Sequence, residues 1–190
     1  MSDDEPWVRL YAAVGECLHA WSIVEAELTT LFVVMHERAW NDFDHPLRAA
    51  FEAVISLEAR LGMIKATAEA DAALRDSYPA HWTKLQSKLL KSYRKRHEVA
   101  HFTLVGRIRG ASRTHLIRPF FKWKDFNDQA GVELDLKQIE ERKVAFYALT
   151  ERVRQHVQHV GAKKGLTPSH FAQAGHIAYP DLDEAGATDC

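Results

Sequence analysis

The chain has 190 residues, 46% apolar and 27% charged, with 25 Lys and Arg against 26 Asp and Glu. That is the composition of one ordinary soluble domain with a sizeable core. No run of 18 apolar residues is present, and the acidic opening Met1-Ser2-Asp3-Asp4-Glu5 is wrong for a secretory signal or transit peptide, so neither a membrane span nor export is expected. Two distant cysteines, Cys17 and Cys190, make no disulfide framework, and a reduced cytoplasmic protein is expected.

From about Trp7 to Met35, the residues Tyr11, Val14, Leu18, Trp21, Leu28, Phe32 and Met35 recur at spacings of three, four and seven. This predicts a long amphipathic helix. Glu25 falls on that stripe, where a carboxylate needs a partner or a polar cavity. Residues 41–46 read as a loop, and Pro46 opens a second helix carrying Leu47, Phe51, Ile55, Leu57, Leu61 and Ile64 to about Ala70. A short helical piece follows at 71–77, ended by Tyr78-Pro79. The third main helix spans about Ala80 to His101 on the apolar stripe Trp82, Leu85, Leu89 and Tyr93.

The segments Phe102–Ile108 and Thr114–Phe121 are β-rich and flank the turn signal Gly110-Ala111-Ser112, which predicts a hairpin. Asp135 with Gln138 forms a D-x-x-Q capping pattern, and the helix behind it is expected to stop at Gly161. His156 and His159 suit its C-terminal dipole, and Thr167-Pro168 could start a short last helix. The small, acidic residues Asp181–Cys190 read as a tail. The expected architecture is mainly α: an antiparallel helical bundle with a short β-hairpin insert before the last long helix. Residues 1–160 form the domain, and 161–190 a partly disordered extension.

Charge is unevenly placed. Twelve Lys and Arg but one acid, Glu98, lie from Lys84 to Lys124, so that segment is +11 and the remainder −12. Either an anionic partner or a solvated face balanced elsewhere would account for it.

Two motifs overlap within this segment. His97-Glu98-Val99-Ala100-His101 fits the zinc-peptidase pattern H-E-x-x-H, with two histidines on one helix face and a glutamate as base. Its context is poor. Leu104 and Arg107 stand where an extended motif needs Gly and His, and Arg94, Lys95 and Arg96 repel a divalent cation. Arg96-His97-Glu98-Val99-Ala100-His101 also fits R-x-x-x-x-H, which needs no metal or other cofactor. A histidine can take the proton of a ribose 2′-hydroxyl while an arginine stabilises the charged phosphorane. Arg96 and His101 are about 140° apart around one helix, whereas His97 shares the face of His101.

Three stretches carry a family resemblance. Trp21-Ser22-Ile23-Val24-Glu25-Ala26-Glu27-Leu28, Ser56-Leu57-Glu58-Ala59-Arg60-Leu61-Gly62-Met63-Ile64 and the Arg96–His101 motif together make the chain resemble the HEPN superfamily (higher eukaryotes and prokaryotes nucleotide-binding domains) over about residues 7–160. The resemblance implies a helical bundle that dimerises with both motifs facing one cleft. Many such proteins are metal-independent endoribonucleases of toxin–antitoxin, defence or RNA-processing systems; others are inactive modules that bind nucleotide, RNA or protein. It implies Arg96 and His101 as catalytic residues, with His97 and Glu25 supporting them. Lys91, Arg94, Lys95, Arg107 and Arg109 would hold RNA, and an antitoxin or other protein could be a partner. Asparagine is commoner than His97 at its position, and glycine often stands where this chain has Phe102.

Overall fold

A computed structural model describes residues 6–37, 46–76, 78–105, 115–117 and 133–166. Along the chain these form α1 (Pro6–Met35), α2 (Pro46–Glu52), α3 (Leu57–Ala70), α4 (Tyr78–His101), β1 (Thr103–Val105), β2 (His115–Ile117), β3 (Glu133–Leu134) and α5 (Leu136–Lys163). The protein is a mainly helical bundle. Arg107, Arg109, the turn at 110–112, the aromatics Phe120, Phe121 and Trp123, and the C-terminal residues from 167 onward lie outside the described residues.

α1 supplies the middle of the core. Leu10, Ala13, Cys17, Ala20, Trp21, Val24, Leu28, Leu31 and Met35 are all buried, while Tyr11 is 54% exposed. Trp21, Leu28, Phe32 and Met35 of the expected stripe are thus in the core, whereas in the first turns the buried positions fall one residue earlier, at Leu10, Ala13 and Cys17, and Val24 rather than Glu25 occupies the core position between Trp21 and Leu28. Glu25 is displaced to the half-buried flank. By length and composition α1 could cross a membrane, which the apolar-run criterion did not anticipate. Here its apolar side chains pack against the other helices. Burial pushes the Cys17 thiol up to about 11, as for an inert core cysteine.

The single helix expected over 46–70 is broken in two. Ser56 caps α3, its hydroxyl accepting from the Ala59 N–H at 3.3 Å and donating to Glu58 at 3.0 Å. The Arg60 guanidinium reaches back to the carbonyls of Val54 (2.6 Å) and Glu52 (3.0 Å), satisfying the open end of α2. Ile55, placed on the stripe by periodicity, is 94% exposed in the break. Residues 72–76 form turns rather than a helical piece, and α4 begins at Tyr78 with Pro79 inside its first turn, where a missing N–H costs nothing.

α5 starts as its sequence predicts. Asp135 accepts from the Gln138 N–H at 2.8 Å, and the Gln138 side chain accepts from the Asp135 N–H at 3.0 Å. Its end lies past Gly161, which is buried within the helix. Gly165 (φ +69°) takes the left-handed position, with Gly165 N–H bonding Ala162 and Leu166 N–H bonding Gly161.

Side-chain partners fix the helix directions. Glu16 pairs with Lys143, Glu27 with Arg154 and Glu37, just past α1, with Lys164 at the end of α5, each pair 127 residues apart. A constant difference means that α1 and α5 run parallel and in step. α4 runs against both: Trp21 packs on Tyr93, Tyr78 on His156, and Glu98 reaches Arg142. It also opposes α3, whose Glu58 senses Arg94 and His97. The antiparallel rule thus holds where the connection is short and fails for α1 and α5, which all the intervening elements separate. β1, β2 and β3 pair antiparallel in that order, with Leu104 opposite Leu116 and Leu116 opposite Leu134. β3 was not anticipated; two residues are too short for an alternation signal. The sheet links the end of α4 to the start of α5.

Candidate functional site

The last two turns of α4 carry both sequence motifs. The buried face of the helix is formed by Trp82, Leu85, Leu89 and Val99. At 100° per residue, Arg96 falls in the middle of this face. It is half-buried, and its buried Nε has no hydrogen-bond partner among the described residues. His97 and His101 point outward and are exposed, with ring centroids 4.5 Å apart. Tyr93 continues this row, its ring 5.3 Å from His97 and 5.8 Å from Trp21. Within one chain the fold therefore brings His97 and His101 together and turns Arg96 away from them.

Glu25 is not beside this cluster. Trp21 meets Tyr93 between antiparallel helices, so four residues onward in α1 is four residues backward in α4. Glu25 lies level with about Leu89, some ~10 Å along the axis from Arg96 and ~18 Å from His101. Among the described residues it forms no ion pair with either. The adjacent Glu27 carries the interhelical contact of this region, 2.7 Å from Arg154. The acid that does face the cluster is Glu58, at the start of α3. Its carboxyl is held below the usual range by its own backbone N–H and the Ser56 hydroxyl, with Arg94 and His97 adding positive potential. Nothing in the sequence pairs position 58 with 94 or 97; only the antiparallel packing of α3 on α4 does. Tyr93 was legible, being four residues before His97.

Glu98 is engaged elsewhere. Its Oε2 accepts from Arg142 Nη2 at 2.5 Å, while Arg142 Nη1 donates to the Lys95 carbonyl at 2.9 Å. The guanidinium of α5 thus closes the C-terminal turns of α4. Among the described residues, no three His, Cys, Asp or Glu side chains come together so as to hold a metal ion. Lys91, Arg94 and Lys95 are exposed on the outer arc of α4. The arrangement offers two adjacent imidazoles at a helix end, a neighbouring phenol and a cationic surround, a set suited to proton transfer beside an anionic group. Comparisons of the chain with family models, with curated proteins and with solved structures found no match.

Proposed function

We propose that this chain is a HEPN-like endoribonuclease that cleaves RNA without a metal and acts as a homodimer. The observation that carries the reading is the exposed His97–His101 pair at the end of a basic helix within a mainly helical bundle. One imidazole would remove the 2′-hydroxyl proton and another would protonate the leaving oxygen, while Arg96 would stabilise the phosphorane. In one chain Arg96 and His101 diverge, so dimerisation would supply the arginine of one protomer to the histidines of its partner. A toxin, defence or RNA-processing role, with an antitoxin or other protein as partner, follows from the resemblance alone. The engagement of Glu98 by Arg142 speaks against the zinc-peptidase reading.

The test is incubation of purified protein with end-labelled single-stranded RNA in EDTA, beside His101→Ala. The expected result is cleavage by the wild type only, leaving 2′,3′-cyclic phosphate ends. RNA binding without cleavage by either protein would favour the inactive nucleotide-, RNA- or protein-binding module.

A further inference from the structure

A groove of about 680 Å³ runs between α4 and α5, at the far end of α4 from the histidine pair. Its walls carry Lys84 and Lys88 from α4 and Glu151, Arg152, Gln155 and His156 from α5. Lys84, Lys88 and Arg152 are exposed, and among the described residues none has a carboxylate partner. The one acid, Glu151, is held at 3.5 Å by Arg154 of its own helix. The groove thus concentrates positive charge that no described residue neutralises.

The charge continues beyond it. Lys84, Lys88, Lys91 and Lys95 follow spacings of four, three and four, one face of a helix over about 16 Å. The only acid of α4, Glu98, is neutralised by Arg142. A track of this length suits an extended polyanion better than a single phosphate. The groove also holds an imidazole, His156, packed against Tyr78 and Trp82, and the amide of Gln155. A supported flat ring and an amide suit a nucleobase face and edge, which an acidic peptide lacks.

We infer that the α4–α5 groove is a single-stranded RNA-binding site, in which Lys84, Lys88 and Arg152 hold phosphates and His156 and Gln155 meet a base. For its ligand this rests on the reading above; it does not depend on whether the RNA is cut. The site extends the substrate path from the cleaving end of α4 to residues outside the R-x-x-x-x-H motif.

The test is fluorescence anisotropy of a labelled oligouridine of about 12 nucleotides, titrated with the full chain across a salt series. The K84A/K88A/R152A protein is compared with wild type and with K65A on α3. Thermal melts confirm folding, and K84Q/K88Q/R152Q replaces the alanine variant should that melt early. The expected result is a loss of at least tenfold in affinity at low salt for the triple variant. Its log–log salt slope falls by about 2, as three lost single-strand phosphate contacts require. K65A binds as wild type. Equal affinity and slope for triple variant and wild type overturns the site, as does a wild type that does not bind at low salt. A polyglutamate peptide of equal charge that competes as well as RNA overturns it in favour of an acidic protein partner. The cleavage reading fails separately, when RNA bound by the wild type stays intact.

Discussion

The Glu27 carboxylate and the Arg154 guanidinium meet at 2.7 Å across two parallel helices that are distant in sequence. They are the middle rung of three ion pairs with one 127-residue offset, spaced 11 and 10 residues along each helix, about three turns. Sliding α5 by one turn would break all three rungs, so they set register where core methyl groups alone tolerate slippage.

The middle rung is the best sheltered carboxylate, with Glu27 12% exposed and Arg154 26%. A double-mutant cycle of Glu27→Gln and Arg154→Met should give a coupling energy of about 1 kcal/mol, above the exposed-pair median. The outer Glu16–Lys143 pair, whose carboxylate is 58% exposed, should give a smaller value. Chemical denaturation of the four proteins of each cycle checks both. Equal couplings at the two rungs would contradict the ranking by burial.

Lys164 gathers the C-terminal ends of α1, α3 and α5. Its side chain is 8% exposed, and its ammonium group donates to Asp71 and, at 3.0 Å, to Glu37. The lysine hydrogen bond is the leading cause that holds Asp71 below its ordinary range. A depressed carboxyl stabilises the fold fully above its unfolded value near 3.9, and that contribution is lost as pH falls through the lower folded value. Lys164→Met should cost about 2 to 3 kcal/mol at pH 7. The penalty should be smaller at an acid pH below the lowered folded value, where Asp71 is protonated in both proteins. Urea titrations at the two pH values read this directly; a penalty unchanged at low pH would remove Asp71 from the account.

What the sequence made legible depended on how local the physics was. The α5 capping box needs only Asp135 and Gln138, three residues apart, and it formed as read. The stop at Gly161 was misplaced because glycine also serves inside a helix; Gly165 was the better candidate, being followed by Leu166, which closes the cap. The break between α2 and α3 was hidden by an apolar pattern that continues through Ile55, although Ser56-Leu57-Glu58 carried a capping signal. Glu25 was misjudged because one residue of phase separates a core position from a flank, and the phase of α1 is set by α5, 127 residues away. The outward histidine pair was readable from spacing alone. The inward turn of Arg96 was readable too, since it continues Trp82, Leu85 and Leu89. The facing of Glu58 toward His97 belongs to tertiary packing and had no local signal.

Glu98 provides a test between the two motifs that share its helix. A peptidase base must be free to take a proton from bound water, yet this carboxylate ties α4 to Arg142 of α5. Glu98→Gln should therefore leave RNA cleavage within about threefold of wild type, an activation difference below 1 kcal/mol. The same substitution should lower stability by about 1 kcal/mol, since it weakens a charge-assisted bond without removing it. Parallel cleavage assays and denaturation curves measure the two effects. Abolished turnover with unchanged stability would restore the glutamate to a chemical role.

Arg96 separates structure from chemistry most sharply. It is half-buried on the helix face that Leu89 and Val99 share, with an Nε that no described residue satisfies. A buried Nε left without an acceptor costs the fold stability. Arg96→Met fills the same space without the buried donor, so the fold should change by less than about 1 kcal/mol or become more stable. RNA cleavage should nevertheless fall by at least about a hundredfold, the scale of losing one charged stabiliser of a transition state. His101→Ala should match that loss, and its outward position makes it nearly silent in stability. Mixing the two inactive variants adds a further readout. If one protomer supplies the arginine and its partner the histidine, the mixed dimer holds one intact site and should recover up to about a quarter of wild-type activity, half the dimers being mixed and each having one of two sites. Failure of the mixture to recover activity, with dimers shown to exchange, would place both residues of each site in the same chain.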